Sequence, residues 1–147
     1  MKYIRRENSL YRILSIDFGN KRIGLALSDL MQIIAKPYKT IDNESNNQIL
    51  NELNIIVKEK NVNKIIVGLP LNLKGDFSEQ TNITMKFVEY LRDNMKIEVL
   101  TYDERLSSIQ AKNSLIKQGI KTGHNKGAVD QTAAALFLQG YIDGLSN

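Results

Sequence analysis

Three carboxylates in this chain stand where chemistry by acids alone is feasible. Asp17 ends a short apolar run and opens the turn Asp17-Phe18-Gly19-Asn20. Glu104 lies in Asp103-Glu104-Arg105-Leu106-Ser107, directly after another apolar run. Asp130 falls in the first turn of an Ala-rich apolar segment. Singly, each has an ordinary explanation: Asp-x-Gly is common turn chemistry, and acids near a helix start are favoured by the helix dipole. Together they put three carboxylates at the ends of elements that should converge. Clustered carboxylates repel unless something positive lies between them. Mg²⁺ or Mn²⁺ relieves that repulsion, since hard cations prefer oxygen ligands and retain waters. Two such ions about 3.5–4 Å apart activate a water and stabilise the leaving oxygen of a phosphodiester. The nucleophile is then water. The chain contains no cysteine, and its single histidine, His124, sits in a Gly- and Lys-rich stretch that reads as solvated loop.

Cations surround these acids. Between Arg105 and Val129 there is no Asp or Glu, while Arg105, Lys112, Lys117, Lys121 and Lys126 are all present. Lys21 and Arg22 follow Asp17, and with Arg105 are placed to hold phosphates or offset developing charge. Lys112, Lys121 and Lys126 are expected to grip the backbone of a nucleic acid. Asn72 follows the carboxyl end of an apolar run, where open sheets place ligands, and reads equally as a substrate contact or a turn amide. A second basic group, Lys2, Arg5, Arg6 and Arg12, is relieved only by Glu7 and reads equally as solvated surface.

The elements that must carry these residues follow from hydrophobic period and turn chemistry. Apolar runs at residues 13–16, 23–28, 35–41, 64–69 and 97–101 read as strands, and Pro37 assigns the third to an edge. Ile49, Leu50, Leu53, Ile56 and Val57 recur at helical spacing and predict a helix over residues 44–59. Ser78 caps a second helix whose Ile83, Phe87, Val88, Leu91 and Met95 share a face. A third helix starts at Ser107 or Ser108 and ends at Gly119, and a last one carries Val129, Ala133, Leu136, Phe137, Gly140 and Tyr141. The order βββαβαβαα implies a mixed sheet with helices on both faces.

The whole chain is consistent with that plan. Its 147 residues suit one domain with a real core, and 42% hydrophobic and 24% charged residues suit a globular protein. A net charge of +4 and a pI near 9.2 favour an anionic partner only slightly. No apolar run approaches a membrane span, the first residues lack a signal-peptide core, and the absence of cysteine suits a reducing cytoplasm.

Four stretches carry a family resemblance: IDFGNKRIGLALSD at residues 16–29, IIVGLPLNLKG at 65–75, YDERLSS at 102–108 and VDQTAAALFLQGY at 129–141. As a set, in this order and spacing, they resemble the YqgF/RuvX family of Holliday junction resolvases and pre-16S rRNA nucleases. The resemblance covers residues 12 to 143 and leaves the first eleven as a short extension to a single domain. It implies an RNase H-like α/β fold, a five-stranded mixed sheet of order 3-2-1-4-5 flanked by helices. It also implies metal-holding roles for Asp17, Glu104 and Asp130. In that order the strand before Glu104 lies two positions from the strand of Asp17, about 10 Å of sheet. A fourth acid would most simply be Asp103. The implied substrate is RNA, in pre-16S rRNA maturation, with branched DNA as the alternative and a monomer or weak homodimer as the working unit. Two other classes remain open on the residues alone. Asp-x-Gly-Asn before a hairpin also resembles the phosphate loop of the actin-like ATPases, although 147 residues provide one lobe and no second phosphate motif is present. A non-catalytic RNA-binding assembly factor would keep the cations and not need the acids.

Overall fold

The computed structural model describes residues 10–106 and 126–145, the segment 126–130 through its backbone only. Five strands form one sheet: β1 (Arg12–Phe18), β2 (Arg22–Ser28), β3 (Ala35–Asp42), β4 (Val62–Leu69) and β5 (Glu98–Asp103). Their order is β3-β2-β1-β4-β5, as expected. β1–β2 and β2–β3 are antiparallel hairpin pairs, whereas β4 joins β1, and β5 joins β4, in parallel. Pro37 lies on the edge strand β3, where its missing N–H removes no ladder bond from a central position.

Helices cover both faces. α1 (Asn46–Glu59) starts at Ser45, whose hydroxyl accepts from the Gln48 N–H at 3.2 Å. It stops where Asn61 takes φ +58°, a left-handed conformation that asparagine tolerates. α2 (Glu79–Asn94) opens with a capping box between Ser78 and Thr81, and the Thr81 hydroxyl also donates to the Pro70 carbonyl. That bond ties the helix start to the loop after β4. α3 (Lys126–Leu145) lies on the opposite face. Leu14, Ile16, Leu25, Val67, Leu53, Phe87 and Leu91 belong to the core beneath α1 and α2. Ile13, Ala26, Ile66, Ala134, Phe137 and Leu138 form the core beneath α3.

Two helical faces differ from their sequence readings. On α2, Ile83 is 38% exposed while Thr81 and Thr84 are buried. On α3 the buried stripe is Ala134, Ala135, Phe137, Leu138 and Ile142 instead of one through Ala133, Leu136 and Tyr141. Both helices pack on a sheet at close range, and small side chains bring the backbones together where a large one would hold them apart. The helix expected between Ser107 or Ser108 and Gly119 lies outside the described residues.

Candidate active site

β1 divides its side chains between the two cores. Ile13 belongs to the α3 side, and buried Ser15 donates its hydroxyl to the Ala134 carbonyl of α3 at 2.8 Å. Leu14 and Ile16 belong to the other side, where Phe18 stacks on Phe87 of α2 with ring centroids 4.1 Å apart. With a period of two, Asp17 follows Ile13 and Ser15 onto the α3 face. The chain then turns at once. The Gly19 N–H donates to the Arg22 carbonyl at 3.0 Å, and Asn43 Nδ2 donates to the Gly19 carbonyl at 2.7 Å. A Cβ at Gly19 would sit 2.5 Å from the Arg22 oxygen, so only glycine fits there. Asp17 lies one residue inside the end of β1, held from both sides.

α3 runs antiparallel to β1 across this face. Gln131 Nε2 donates to Thr40 Oγ1 at 2.9 Å, and eight residues later Gln139 Oε1 accepts from the Ala35 N–H at 2.8 Å. Thr40 pairs with Gly24, and Gly24 with Asp17, so the start of α3 is level with Asp17. Asp130 precedes Ala134 by four residues, on the same helical face and about 6 Å along the axis. Asp17 follows Ser15 by about 6.7 Å along the strand. The Ser15–Ala134 contact therefore sets the register that brings the Asp130 backbone over Asp17.

Glu104 closes the remaining gap. It begins a 3₁₀ turn, Glu104–Leu106, directly after β5. The strand between β5 and β1 is β4, and Gly68 sits one residue past the last registered pair, Ile16–Val67, level with Asp17. Gly68 has no side chain on the α3 face. The place of its missing Cβ is taken by the Phe137 ring, with atoms 2.7 and 2.9 Å away, and by Glu104 Oε2 at 3.2 Å. Glu104 thus leans back over β4 toward β1. The two-strand separation is bridged by a carboxylate lying across a glycine. Nothing in the sequence assigned Gly68 that duty; the available signal was a glycine interrupting the apolar run of β4.

Burial raises the Glu104 carboxyl above the usual carboxylate range, and the neighbouring Asp103 charge raises it further. The sign of the pH effect follows. A carboxyl that holds its proton more tightly in the fold than in the unfolded chain gives stability that is full below its ordinary value of 4.5 and lost as pH rises through the raised value. The metal-free protein is expected to lose stability across that interval, and Glu104→Gln to flatten the loss. Urea titrations of both proteins from pH 4 upward check this; parallel pH profiles would refute it.

Several other expected contacts have defined places. Asp103 forms a tight pair with Arg105, whose Nη2 lies 2.6 Å from Oδ2 and whose Nε is 3.0 Å from each oxygen. Hydrogen bonds from Arg105 hold the Asp103 carboxyl below its ordinary value. Arg105 also donates through Nη1 to the Leu73 carbonyl at 3.3 Å, linking β5 to the loop after β4. Asn72 organises that loop, its Oδ1 accepting from the N–H groups of Lys74 and Asp76 at 2.9 and 2.8 Å. This is the turn role. Lys21 is exposed and Arg22 half-buried at the hairpin beside Asp17. Lys112 and Lys121 lie outside the described residues, as does His124; Lys126 and Asp130 are placed by the backbone of α3 alone. Among the described side chains, which do not include that of Asp130, no three acids or histidines group into a metal site.

Comparisons with known proteins give the family and the fold. The family model described as "RuvX: Holliday junction resolvase" matches residues 11–144. The chain is similar to a Clostridioides difficile protein named "Putative pre-16S rRNA nuclease", with 41% identity over 90% of this chain and 94% of that one. It is similar to a Thermoanaerobacter pseudethanolicus protein of the same name, 39% identical over 92% and 99% of the two chains. Among solved structures, the Fowlpox virus resolvase bound to Holliday junction DNA superposes with a TM-score of 0.58 at 14% identity, over 92% of this chain and 99% of that one. Thermus thermophilus RuvC with its Holliday junction substrate gives 0.57 at 12% identity, over 93% and 96%. At such identities the likeness concerns the fold, which is RNase H-like.

Proposed function

The chain belongs to the RuvX Holliday junction resolvase family, and from that premise we propose that it is a metal-dependent nuclease acting in 5′-end maturation of pre-16S rRNA. The observation that carries this reading is the Glu104 carboxylate lying over Gly68, level with Asp17 and beside Phe137 of α3. The donor set fits a hard divalent cation. Glu104 is a half-buried carboxyl whose ionised form is disfavoured by burial and by a second acid, and a cation supplies what that form lacks.

Asp17, Glu104 and Asp130 would hold Mg²⁺ or Mn²⁺, from β1, the end of β5 and the start of α3. When bound, the metal supplies activation of a water and neutralisation of charge on the leaving oxygen. The protein's own part is positional. β1 and α3 are locked in register by Ser15, and Gly68 gives Glu104 its path. Lys21 and Arg22, beside Asp17, hold substrate phosphates, as do Lys112, Lys121 and Lys126 on the other side of Glu104 in the chain. Arg105 acts on the same region through Asp103 and the loop at Leu73.

A second reading, resolution of four-way DNA junctions, is favoured by the description of the matching family. It needs two active sites and hence a homodimer. Labelled pre-16S rRNA fragments and labelled four-way junctions, offered side by side with Mg²⁺, with Mn²⁺ and with EDTA, separate the readings. The expected result is cleavage of the rRNA precursor at its 5′ side, lost in EDTA and restored by either metal. Undiminished cleavage in chelator would end the metal mechanism, and cleavage of the junction alone would transfer the assignment to DNA.

A further inference from the structure

A second basic site lies on the edge strand β3, on the α1/α2 face of the sheet. β2 and β3 pair Ala26 with Pro37 but Leu25 with Lys39, so one step on β2 answers two on β3. Tyr38 is the extra residue, a β-bulge in an edge strand. Bulges re-aim side chains. Lys36 pairs with Leu27 and Lys39 with Leu25, residues of the α1/α2 core, so both lysines share that face. The Tyr38 ring, packed against the same core, lies between them in sequence. Without the bulge Lys36 and Lys39 would point to opposite faces.

Beside this ring is a cavity of about 430 Å³ with Leu27, Ile34, Pro37 and Tyr38 as apolar walls and Arg12 and Lys36 at its edge. Lys39 and Lys60 each place Nζ 5.7 Å from the Tyr38 ring centroid. Asp29 also borders the cavity, but its carboxylate accepts from the N–H groups of Met31, Ile33 and Ile34, so its charge is answered by its own loop. Among the described residues, Arg12, Lys36, Lys39 and Lys60 form no ion pair with a carboxylate. Two lysines over one aromatic ring, and two further cations bordering the apolar slot beside it, one of them Arg12, which donates to the Lys60 carbonyl at 3.0 Å, suit a planar base joined to phosphates.

We propose that the Tyr38 cavity, with Arg12, Lys36, Lys39 and Lys60, is a second binding site for single-stranded RNA, taking a base of the substrate's strand beyond the cleaved bond. The inference rests on the nuclease reading for the identity of its strand. Lys36 and Lys39 lie on the α1/α2 face of the edge strand, two strands from β1, whereas Asp17 faces α3, and Arg12 is five residues, about 17 Å, from Asp17 along β1, so the site serves a flanking tail and never the scissile phosphate. Its use is to add affinity and register for precursors that carry a single-stranded extension.

The test uses the full chain carrying Asp17→Asn, so that RNA is bound and not cut. Anisotropy of fluorescein-labelled single-stranded RNA is titrated at several salt concentrations. Tyr38→Leu keeps an apolar side chain on the core and removes the stacking face; binding is expected to weaken roughly 5- to 150-fold, from about 1–3 kcal/mol per stacked base. Lys36→Ala with Lys39→Ala, both at exposed positions, is expected to lower the slope of log affinity against log salt by about 1.4. Adenosine monophosphate carries the same base and phosphate and is expected to compete poorly. Affinity and salt slope unchanged in both variants, each folded by circular dichroism, would overturn the site. Competition by the mononucleotide as strong as by RNA would overturn its assignment to a polynucleotide. Cleavage by the chain with Asp17 intact is scored separately. If it fails while the Tyr38 and lysine effects persist, the nuclease reading falls and the binding site stands.

Discussion

Asp17→Asn is expected to abolish cleavage while leaving the fold intact. Asp17 faces α3 at the end of the central strand, level with Gly68, over which Glu104 lies, and level with the start of α3. Removing its charge removes a metal ligand at nearly constant shape. Charge stabilisation by a bound metal is worth several kcal/mol, and each 1.36 kcal/mol is tenfold in rate, so a fall of about 10³ or more is expected. Stability should move the other way. Without metal, a cluster of acids loses one source of repulsion, and the melting temperature should rise or change little. Added Mg²⁺ should raise the melting temperature of the original chain more than that of the variant, since only binding to the folded state stabilises. Single-turnover cleavage and melting curves with and without metal check both halves. A variant that simply unfolds would return Asp17 to the role of a turn residue.

Gly68→Ala should damage activity and stability together. Its new methyl group would sit 2.7 and 2.9 Å from atoms of the Phe137 ring, which is fully buried and stacks at 6.1 Å on Tyr102. That ring has little room to retreat, because Tyr102, on which it stacks, is itself packed against Gly140, where an added Cβ would lie 2.5 Å from the Tyr102 hydroxyl. Overpacking of this kind costs about 1–3 kcal/mol. The same methyl is 3.2 Å from Glu104 Oε2, so the carboxylate must shift as well. A misplacement of about 1 Å in a catalytic group costs about 10²-fold, so a shift of a few tenths of an ångström should lower activity by a smaller but measurable factor, up to roughly tenfold. Phe137→Leu in the same chain separates the two effects. The smaller side chain should restore part of the stability, while activity stays low because the methyl still crowds Glu104. Recovery of full activity in the double variant would show that the ring alone was at issue.

The elements were legible because they obey short-range rules. The β-branched runs of β1 and β4, the Ser78 cap and the proline on β3 each act within a few residues. Asp17 and Glu104 were legible as residue types at element ends, and so was the two-strand gap between them, whereas Asp130, expected in a first helical turn, lies beyond it because α3 starts at Lys126. What closes that gap was not. Gly68 reads in sequence as a pause in a strand, and only the parallel register of β4 between β1 and β5 makes it the floor beneath Glu104. Arg105 read as a phosphate hand, yet it is bound to Asp103, two residues before it, and to Leu73, thirty-two residues away. The bulge at Tyr38 likewise exists only as a mismatch between two strands. Composition and period act along the chain and determine which segments become strands and helices. Register acts between segments, through contacts such as that of Ser15 with Ala134, 119 residues apart, and it alone decides which side chains share a face and a level.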